Sequence, residues 1–462
     1  MEGRVWEPNT SLYVSLVICI YVLLGISLSS SSFSSSVNGS SGRDVVTIGR
    51  SKSPSSPFGI SSVVSLHFQR KFLLVYSLAS IMEGMWAVFG EHEYTYFGLE
   101  KEEIFASICL GLSVSLIVGP FLGVLSDYVG HKKVCLLFSV VHLAVGVWNR
   151  TTMYPNLWFG SVCLQLCTSM FSCSFEAWLV VENEEQNYRR DTLCETFWLM
   201  TFLESVMLIG SQVLANKMCG SVRGRNITLY SSVSIVLSMI FFIYLSKGGK
   251  KFQWTTCTRI SRVSYTKIVR DKRLWLLGFA HACLNFSIAV FWILWAPTLV
   301  ADGREVNLGL IYPCLMGARM LGCTLFQLLS SSQSSPRTED SLMYAFLAMG
   351  LVLSVVAYDY QEIGVLVFLF LLFHVGVGFI IPSLARLRAI HVPNEIRGGL
   401  MSFSLSPVKA VLLFLLIQRG YYQNIENSTM IAVAAAALFV ASGCMYSLKR
   451  GGKLRYQNGH KL

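Results

Sequence analysis

Charged residues are scarce in this chain. Asp, Glu, Lys and Arg make up 14% of its 462 residues, whereas a soluble globular protein carries about 25%. Apolar side chains account for 53% of the sequence, and the mean hydropathy is +0.55. This composition excludes an ordinary water-soluble domain of the same length and indicates a polytopic helical membrane protein.

Motifs for catalysis and for nucleotide or metal binding are also missing. The sequence has no phosphate-cradling glycine loop, no Cys-x-x-Cys pair and no nucleophile–base motif. Its 13 cysteines are scattered, mostly within apolar runs, and are interpreted as small packing residues. We therefore expect no enzyme, no ATP-driven pump and no cofactor. The net charge of +11 does not indicate a nucleic-acid partner, because in a membrane protein the position of the positive charges matters more than their sum. We therefore expect no nucleic-acid partner.

Long apolar runs predict thirteen membrane spans, each long enough, or nearly so, to cross a bilayer as a helix. The first, Ser11–Leu28, is interpreted as an uncleaved helix. A cleaved secretion signal is the alternative, but it would need a basic start, and this start is slightly acidic. The other twelve runs lie at residues 72–90, 104–126, 134–149, 157–182, 193–215, 229–246, 274–298, 307–330, 341–358, 362–383, 398–418 and 429–447.

The runs group into two sets of six, an arrangement typical of secondary transporters. We predict an all-α membrane protein with two six-helix bundles and one extra N-terminal transmembrane helix. The predicted segments are the extra helix at 1–28, a flexible Ser-rich cytoplasmic linker at 29–71, the first bundle at 72–246, a basic cytoplasmic loop at 247–273, the second bundle at 274–447 and a basic cytoplasmic tail at 448–462.

The distribution of Lys and Arg predicts the orientation. With the N-terminus outside, the loops and tail on the cytoplasmic side hold 27 of the 37 Lys and Arg, and the opposite side holds eight. This bias agrees with the positive-inside rule. The sequons at Asn226 and Asn427 fall outside, whereas the one at Asn38 falls inside. We therefore predict a multi-pass protein of the cell membrane, with its N-terminus outside and its C-terminus in the cytoplasm.

A short polar hinge separates the second and third of the twelve core spans. It reads Gly-x-x-x-Asp-x-x-Gly-His-Lys-Lys, and its marked positions are Gly123, Asp127, Gly130, Lys132 and Lys133. The pattern resembles the cytoplasmic loop of the major facilitator superfamily that follows the second span of each repeat. An ordinary polar turn with basic anchors is the alternative interpretation. The resemblance implies a gating loop that governs the inward/outward switch.

Several polar residues fall within predicted spans. An ionisable group at mid-bilayer costs about 2.5–3.5 kcal/mol on insertion scales, so each one is a candidate for function. His281 and Asn285 are four residues apart and share one helical face. The candidates for substrate binding or coupling are Glu83, Glu176, Glu204, His281, Asn285, Arg319 and Lys409.

Two interpretations of these residues remain open. In the first, Glu83, Glu204, Arg319 and Lys409 neutralise one another as fixed pairs between helices. In the second, they line a solute cavity between the two halves. A carboxyl in a poorly hydrated interior takes up a proton more readily than one in water, so Glu83 or Glu204 could then couple proton flow to transport. Both interpretations require these helices to face a shared interior rather than lipid.

A closer resemblance extends over residues 70–450. The chain resembles the molybdate-anion transporters, a branch of the major facilitator superfamily with an additional N-terminal span. The most specific block is Phe175–Val180, in which Glu176 matches the family. The resemblance implies a twelve-helix two-bundle fold, a central cavity and uptake of an oxyanion such as molybdate at the cell membrane. The other matching segments are Leu73–Leu78, the hinge, Leu276–Gly278, Leu294–Pro297, Pro382–Ser383 and Val392–Glu395.

The chain also departs from that family at charged positions. Glu83 stands where the family has Asp. Cations expected of the family are replaced by Ser161, Leu199 and Leu405, while Arg319 and Lys409 are gained. Asn285 stands where the family has an acidic residue, and Asn183 stands where it has a histidine. The resemblance therefore predicts the fold more securely than the substrate.

Three functions follow as hypotheses. The first is a secondary active transporter that works by alternating access and takes up molybdate or a related small oxyanion. The second is the same carrier turned to a neutral or cationic solute. The third is a membrane receptor or scaffold that no longer transports. The expected partners are a small-molecule or anion substrate, a coupling proton and the lipid bilayer.

Overall fold

The computed structural model describes residues 6–40, 58–96, 100–151, 157–187, 190–220, 227–246, 271–331, 337–358, 362–420 and 425–459. Thirteen α-helices lie in this part of the chain. They are α1 Thr10–Ser40, α2 Phe58–Tyr96, α3 Lys101–Val129, α4 His131–Thr151, α5 Leu157–Glu185, α6 Arg190–Gly220, α7 Ile227–Ser246, α8 Lys272–Leu299, α9 Leu308–Ser331, α10 Thr338–Ala357, α11 Ile363–His391, α12 Arg397–Gly420 and α13 Asn427–Gly459.

The predicted all-α fold is confirmed. Ten of the described helices are long and apolar enough to cross a membrane, and α1 and α7 contribute shorter apolar segments. Many large apolar side chains on these helices remain exposed, as on Ile117, Phe121 and Phe368. In water such surface would be unfavourable, but in a bilayer it meets lipid tails. The chain is therefore a multi-pass membrane protein.

Several helices extend beyond the predicted spans. α1 continues to Ser40 and α2 begins at Phe58, so both enter the segment predicted as a flexible linker. Serine is only a moderately poor helix former, and the run after Leu28 has no proline to stop the helix. The hinge is also shorter than predicted, because α3 ends at Val129 and α4 begins at His131. Gly130 alone joins them, with a φ of +105° that favours glycine.

The basic loop predicted at 247–273 lies almost wholly outside the described residues. The sequons at Asn226 and Asn427 flank the starts of α7 and α13, and only Asn427 is among the described residues. The division of the chain into its predicted segments stays a prediction at these points.

Two bundles form around separate apolar cores. In the first bundle, α2 packs against α6 and α7, and α3, α4 and α5 complete the set of six helices. Its core is rich in aromatic rings, among them Phe72, Phe138 and Phe175. In the second, α10 and α13 pair, and α9 packs on α11. There Phe291 stacks on Phe373, with ring centroids 5.0 Å apart.

Between the bundles, α3 packs along α12, α5 also contacts α12, and α6 packs on α9 and α11. The α3–α12 crossing is close because glycines line it. A Cβ atom added to Gly123 would lie 2.3 Å from Cβ of Ser402, and one added to Gly398 would lie 2.9 Å from the carbonyl oxygen of Gly123. Side chains larger than hydrogen would separate the two helices here.

The extra helix α1 packs on α9, in the second bundle. The backbone N–H of Trp6 donates to the carbonyl oxygen of Glu305 at 2.8 Å, and the N–H of Asn307 donates back to Trp6 at 3.1 Å. The Tyr13 hydroxyl donates to the carbonyl oxygen of Leu310. The segment before α1 and the short connection between α8 and α9 therefore lie on the same side of the membrane.

This pairing gives a test of orientation. We expect an epitope tag at the N-terminus to be accessible on intact cells, and a C-terminal tag to be accessible only after permeabilisation. A Glu305→Cys variant should react with a membrane-impermeant thiol reagent from the outside, because it shares a side with Trp6. Both tags must be detected after permeabilisation as the control. Labelling of Glu305→Cys only from the cytoplasmic side would contradict the predicted topology.

Candidate functional site

A small cavity lies between the two bundles. It has a volume of about 90 Å³ and is walled by α2, α5 and α6 from the first bundle and by α11 from the second. The volume can hold a few water molecules or one small solute. Its lining mixes aromatic rings, hydroxyls and carboxylates: Tyr76, Phe171, Ser172, Phe175, Glu176, Phe197, Thr201 and Glu204, with Ile381, Pro382 and Ala385 opposite.

A three-residue cluster joins the bundles at mid-membrane depth. Arg319, near the middle of α9, donates from Nη2 to Oε1 of Glu204 at 3.0 Å. The Tyr76 hydroxyl donates to the other oxygen of Glu204 at 2.8 Å. Glu204 lies near the middle of α6, so the pair spans the interface between the halves. Each charge thus has its counter-charge within the protein rather than in lipid.

A second ion pair lies nearer the hinge. Arg388 of α11 donates to both oxygens of Glu176 on α5, from Nε at 2.8 Å and from Nη2 at 2.5 Å. Two parallel hydrogen bonds make this a strong and directional contact. Sequence reasoning missed Arg388, because it placed residues 384–397 in a loop. The uninterrupted helical stretch up to Pro393 was the signal that α11 continues to His391.

Lys409 has a different environment. Its Nζ lies 2.6 Å from Oγ of Ser115 on α3 and 2.7 Å from Oγ of Ser169 on α5. Among the residues that the structure describes, no carboxylate lies within ion-pair distance of this ammonium group. Lys409 is near the middle of α12, so a cation without a counter-ion sits at the interface between the halves.

Glu83 is held within the first bundle. One carboxylate oxygen accepts a 2.9 Å hydrogen bond from Oγ1 of Thr168, and the other lies 3.4 Å from Nε2 of His142. The His142 side chain is 3% exposed and that of Glu83 is 17% exposed. Neither Arg319 nor Lys409 lies within ion-pair distance of Glu83, so the four charges expected to neutralise one another form only the Glu204–Arg319 pair.

His281 and Asn285 lie inside the second bundle, away from the cavity walls. His281 Nδ1 is 2.9 Å from Oγ of Ser404, and the Asn285 amide donates to the carbonyl oxygen of His281 on its own helix. These contacts join α8 to α12 but do not bring either residue to the other site candidates. Both residues stay candidates, with packing contacts in this conformation.

The hinge is joined to the second bundle through Asp127. Its two carboxylate oxygens accept 2.7 Å hydrogen bonds from the backbone N–H groups of Gly398 and Gly399, at the start of α12. A carboxylate is favoured at a helix N-terminus, where N–H groups are unpaired and the helix dipole is positive. Lys132 and Lys133 lie in the first turn of α4. The marked hinge positions therefore lie beside one contact between the halves.

Two further contacts lie beside this one. The Asn394 amide donates to Oε2 of Glu184, at the C-terminal end of α5. Arg397 is fully buried, and its guanidinium donates to the carbonyl oxygens of Arg388 and Val392. The Asn394–Glu184 contact therefore joins the two bundles beside the hinge, whereas the Arg397 contacts lie within the second bundle.

The chain is similar to known transporters. A family described as sugar transporters with 12 transmembrane segments matches residues 59–372. The molybdate-anion transporter of Xenopus tropicalis is 22% identical over 407 residues, covering 86% of this chain and 89% of that protein. The molybdate-anion transporter of Danio rerio is 22% identical over 375 residues, covering 74% and 77%.

Solved structures show the same fold. A bacterial homologue of the iron transporter ferroportin, in its outward-facing state, has a TM-score of 0.65 and 15% identity, covering 83% of this chain and 99% of that one. The fucose:proton symporter of Escherichia coli has a TM-score of 0.66 and 10% identity over the same shares. The chain therefore belongs to the 12-span family described as sugar transporters, has the major facilitator fold, and is a transporter related to the molybdate-anion transporters.

Proposed function

We propose that the chain is a secondary active transporter that takes up molybdate or a related small oxyanion by alternating access. The curated relatives named above are molybdate-anion transporters, and this chain covers most of their length. The family description refers to sugars instead. A fold shared by carriers of such different solutes does not select the substrate, so the choice rests on the chemistry of the interface.

Lys409 carries the proposal. A cation in the interior of a membrane protein is costly unless a negative charge accompanies it. The two serine hydroxyls partly solvate the ammonium group, but they bring no negative charge. A small oxyanion would supply that charge, and the hydroxyls of Ser115 and Ser169 would donate to its oxygens. The ammonium group and two hydroxyls together make a set of donors suited to a small oxyanion.

The position of Ser169 on α5 indicates a route between the central cavity and Lys409. Ser169, which binds Lys409, lies one helical turn from Ser172, which lines the central cavity. Arg319 Nε and Arg388 Nη1 are also buried and donate to no described protein atom. These N–H groups provide further donors for an anion that moves between the halves.

Alternating access is supported by the kind of contact that joins the bundles. Most of each apolar core lies within one bundle, although Trp198 of α6 packs into the core of the second. Hydrogen bonds and ion pairs such as Glu204–Arg319 and Glu176–Arg388 also join the bundles. Polar contacts can exchange partners with water or solute, while an apolar core resists opening. Two rigid halves rocking about the central cavity are the expected motion.

A neutral or cationic solute is the second candidate. The cavity is lined by Glu176 and Glu204, and its aromatic residues Tyr76, Phe171 and Phe175 could stack against a sugar ring or hold a cation. Both carboxylates are already paired with arginines, however, which leaves little free negative charge for a cation. The oxyanion is therefore the better-supported substrate.

Replacement of Lys409 tests the substrate. We expect saturable uptake of labelled molybdate by the wild type, inhibited by excess sulfate. Lys409→Met should weaken apparent affinity about ten- to a hundredfold, because a charge-assisted contact contributes about 1.5–3 kcal/mol. Lys409→Arg keeps the charge and should retain part of the uptake. Initial rates over a range of molybdate concentrations are the measurement.

Lys449→Met is the matched control. Lys449 pairs with Asp340 within the second bundle, between α10 and α13, so its loss should leave molybdate affinity unchanged. Uptake of a sugar or an amine that excess oxyanion does not inhibit would favour the second candidate. A wild type that reaches the cell surface but carries no solute would contradict both, and would favour a receptor or scaffold.

A cross-link tests alternating access. Glu184 and Asn394 are hydrogen-bonded across the cytoplasmic interface. A Glu184→Cys/Asn394→Cys variant, treated with a short thiol cross-linker, should lose uptake because the two halves can no longer separate. Cleavage of a reducible linker should restore it. Each single variant, given the same treatment, serves as the control, and full uptake by the cross-linked protein would refute the proposed motion.

The mid-membrane ion pair predicts a pattern of stability. Glu204→Gln leaves the Arg319 charge buried without its partner, and Arg319→Met does the same to Glu204, so each should destabilise the protein by about 3–5 kcal/mol. The double variant removes both charges and should be closer to wild type than the sum of the single effects. Melting temperatures in detergent measure this, and additive losses would show that the pair is not coupled.

A further inference from the structure

We propose that the Glu83–His142 pair is the proton-binding site of this carrier and takes up a proton on each group when a divalent oxyanion binds at Lys409. The inference rests on the proposed function and adds the coupling ion, its position and its charge balance. It also explains a polar cluster that the anion site itself does not use.

The geometry is that of a shared proton site. His142 Nε2 lies 3.4 Å from Oε1 of Glu83, and Oε2 of Glu83 accepts a hydrogen bond from Thr168 at 2.9 Å. His142 is buried against the Phe138 ring, with ring centroids 4.6 Å apart. A charged imidazolium in this position would need negative charge nearby, which the Glu83 carboxylate or a bound anion would supply.

The pair adjoins the proposed anion site. Thr168, which binds Glu83, is the neighbour in sequence of Ser169, which binds Lys409. Glu83 also lies two helical turns from Tyr76, on the same face of α2, and Tyr76 lines the central cavity. Seven residues of helix rise about 10 Å, so Glu83 lies on the outer side of the cavity along the path between the halves.

Few other ionisable groups lie near this pair. From α5, Cys167 faces Glu83, and on α6 Glu204 is already paired with Arg319. The described part of α7 that packs on α2 and α4 carries no charged residue. Lys409 on α12 approaches through Ser169. Among the described neighbours, Glu83 and His142 are therefore the groups that can gain a proton without breaking an ion pair between the halves.

Electrostatics links the proton site to the anion. A divalent oxyanion at Lys409 places negative charge near Glu83 in a poorly hydrated interior, where charges act over long distances. Protonation of Glu83 removes the repulsion, and protonation of His142 adds an attractive charge. By linkage, bound anion favours bound protons and bound protons favour bound anion. One proton on each group balances both charges of the oxyanion, so the transport cycle carries no net charge.

The test uses purified protein in liposomes and labelled molybdate as the probe. In the wild type, an inside-alkaline pH gradient should drive accumulation, and a potassium diffusion potential should have no effect. Glu83→Gln leaves His142 as the remaining proton acceptor of the pair, so this variant should keep molybdate exchange at equal pH but show weaker pH-driven accumulation. His142→Gln should carry fewer protons than negative charges, so an inside-negative potential should slow its uptake. His391→Gln, at the cytoplasmic end of α11, is the control and should behave as wild type.

A second measurement keeps the test independent of transport rates. Molybdate added to the detergent-solubilised wild type in weak buffer should raise the pH of the solution, as the protein takes up protons, and Glu83→Gln and His142→Gln should each reduce this signal. Unchanged pH-driven accumulation and proton uptake in both variants would overturn the proton site while leaving the carrier intact. A wild type with neither exchange nor uptake of molybdate would instead overturn the proposed function.

Discussion

The cost of a charge inside a bilayer governs how this protein is built. A charged side chain at mid-membrane depth must meet its partner within the protein, because lipid offers neither water nor counter-ions. Glu204 and Arg319 meet this requirement by forming an ion pair between the two bundles, with 3.0 Å between Arg319 Nη2 and Glu204 Oε1. Glu176 and Arg388 do the same nearer the hinge. The requirement to satisfy buried charge therefore determines which faces of α5, α6, α9 and α11 meet.

The same requirement makes the interface different from the bundle interiors. Apolar packing within each bundle, around rings such as Phe138 and Phe291, holds six helices as a unit. Between the bundles, glycines such as Gly123 and Gly398 allow close backbone approach without large apolar side chains that would lock the contact. Asp127 then joins the hinge to the N-terminus of α12 through two backbone N–H groups. Rigid halves with polar, separable contacts suit a carrier that opens and closes.

Much of this architecture could be predicted from the sequence. Run length is a property of single segments, so it predicted the thirteen helices. The cytoplasmic position of the hinge, inferred from the bias of Lys and Arg, stays a prediction. Which charged side chains form ion pairs could not be predicted in this way, because the pairing depends on how each helix is rotated about its axis. Arg388 illustrates the limit: it was counted as a loop cation, yet it is 6% exposed and bound to Glu176. His142 likewise had no visible partner until α2 and α4 were placed side by side.

The positions of the cations also bear on how far the relatives guide the choice of substrate. The resemblance implied a cation at Leu405, which this chain lacks, and so seemed to weaken the case for an anion. Lys409, however, lies four residues further along α12, on the same helical face and near the middle of the helix. A positive charge displaced by one helical turn can still bind an anion at the same interface, provided that polar groups surround the charge there. The hydroxyls of Ser115 and Ser169 surround Lys409, since they accept hydrogen bonds from its Nζ at 2.6 and 2.7 Å. Loss of a family cation at one position therefore does not by itself argue against an anion as substrate, because such a site would depend on the charge that reaches the interface and on the polar groups around it.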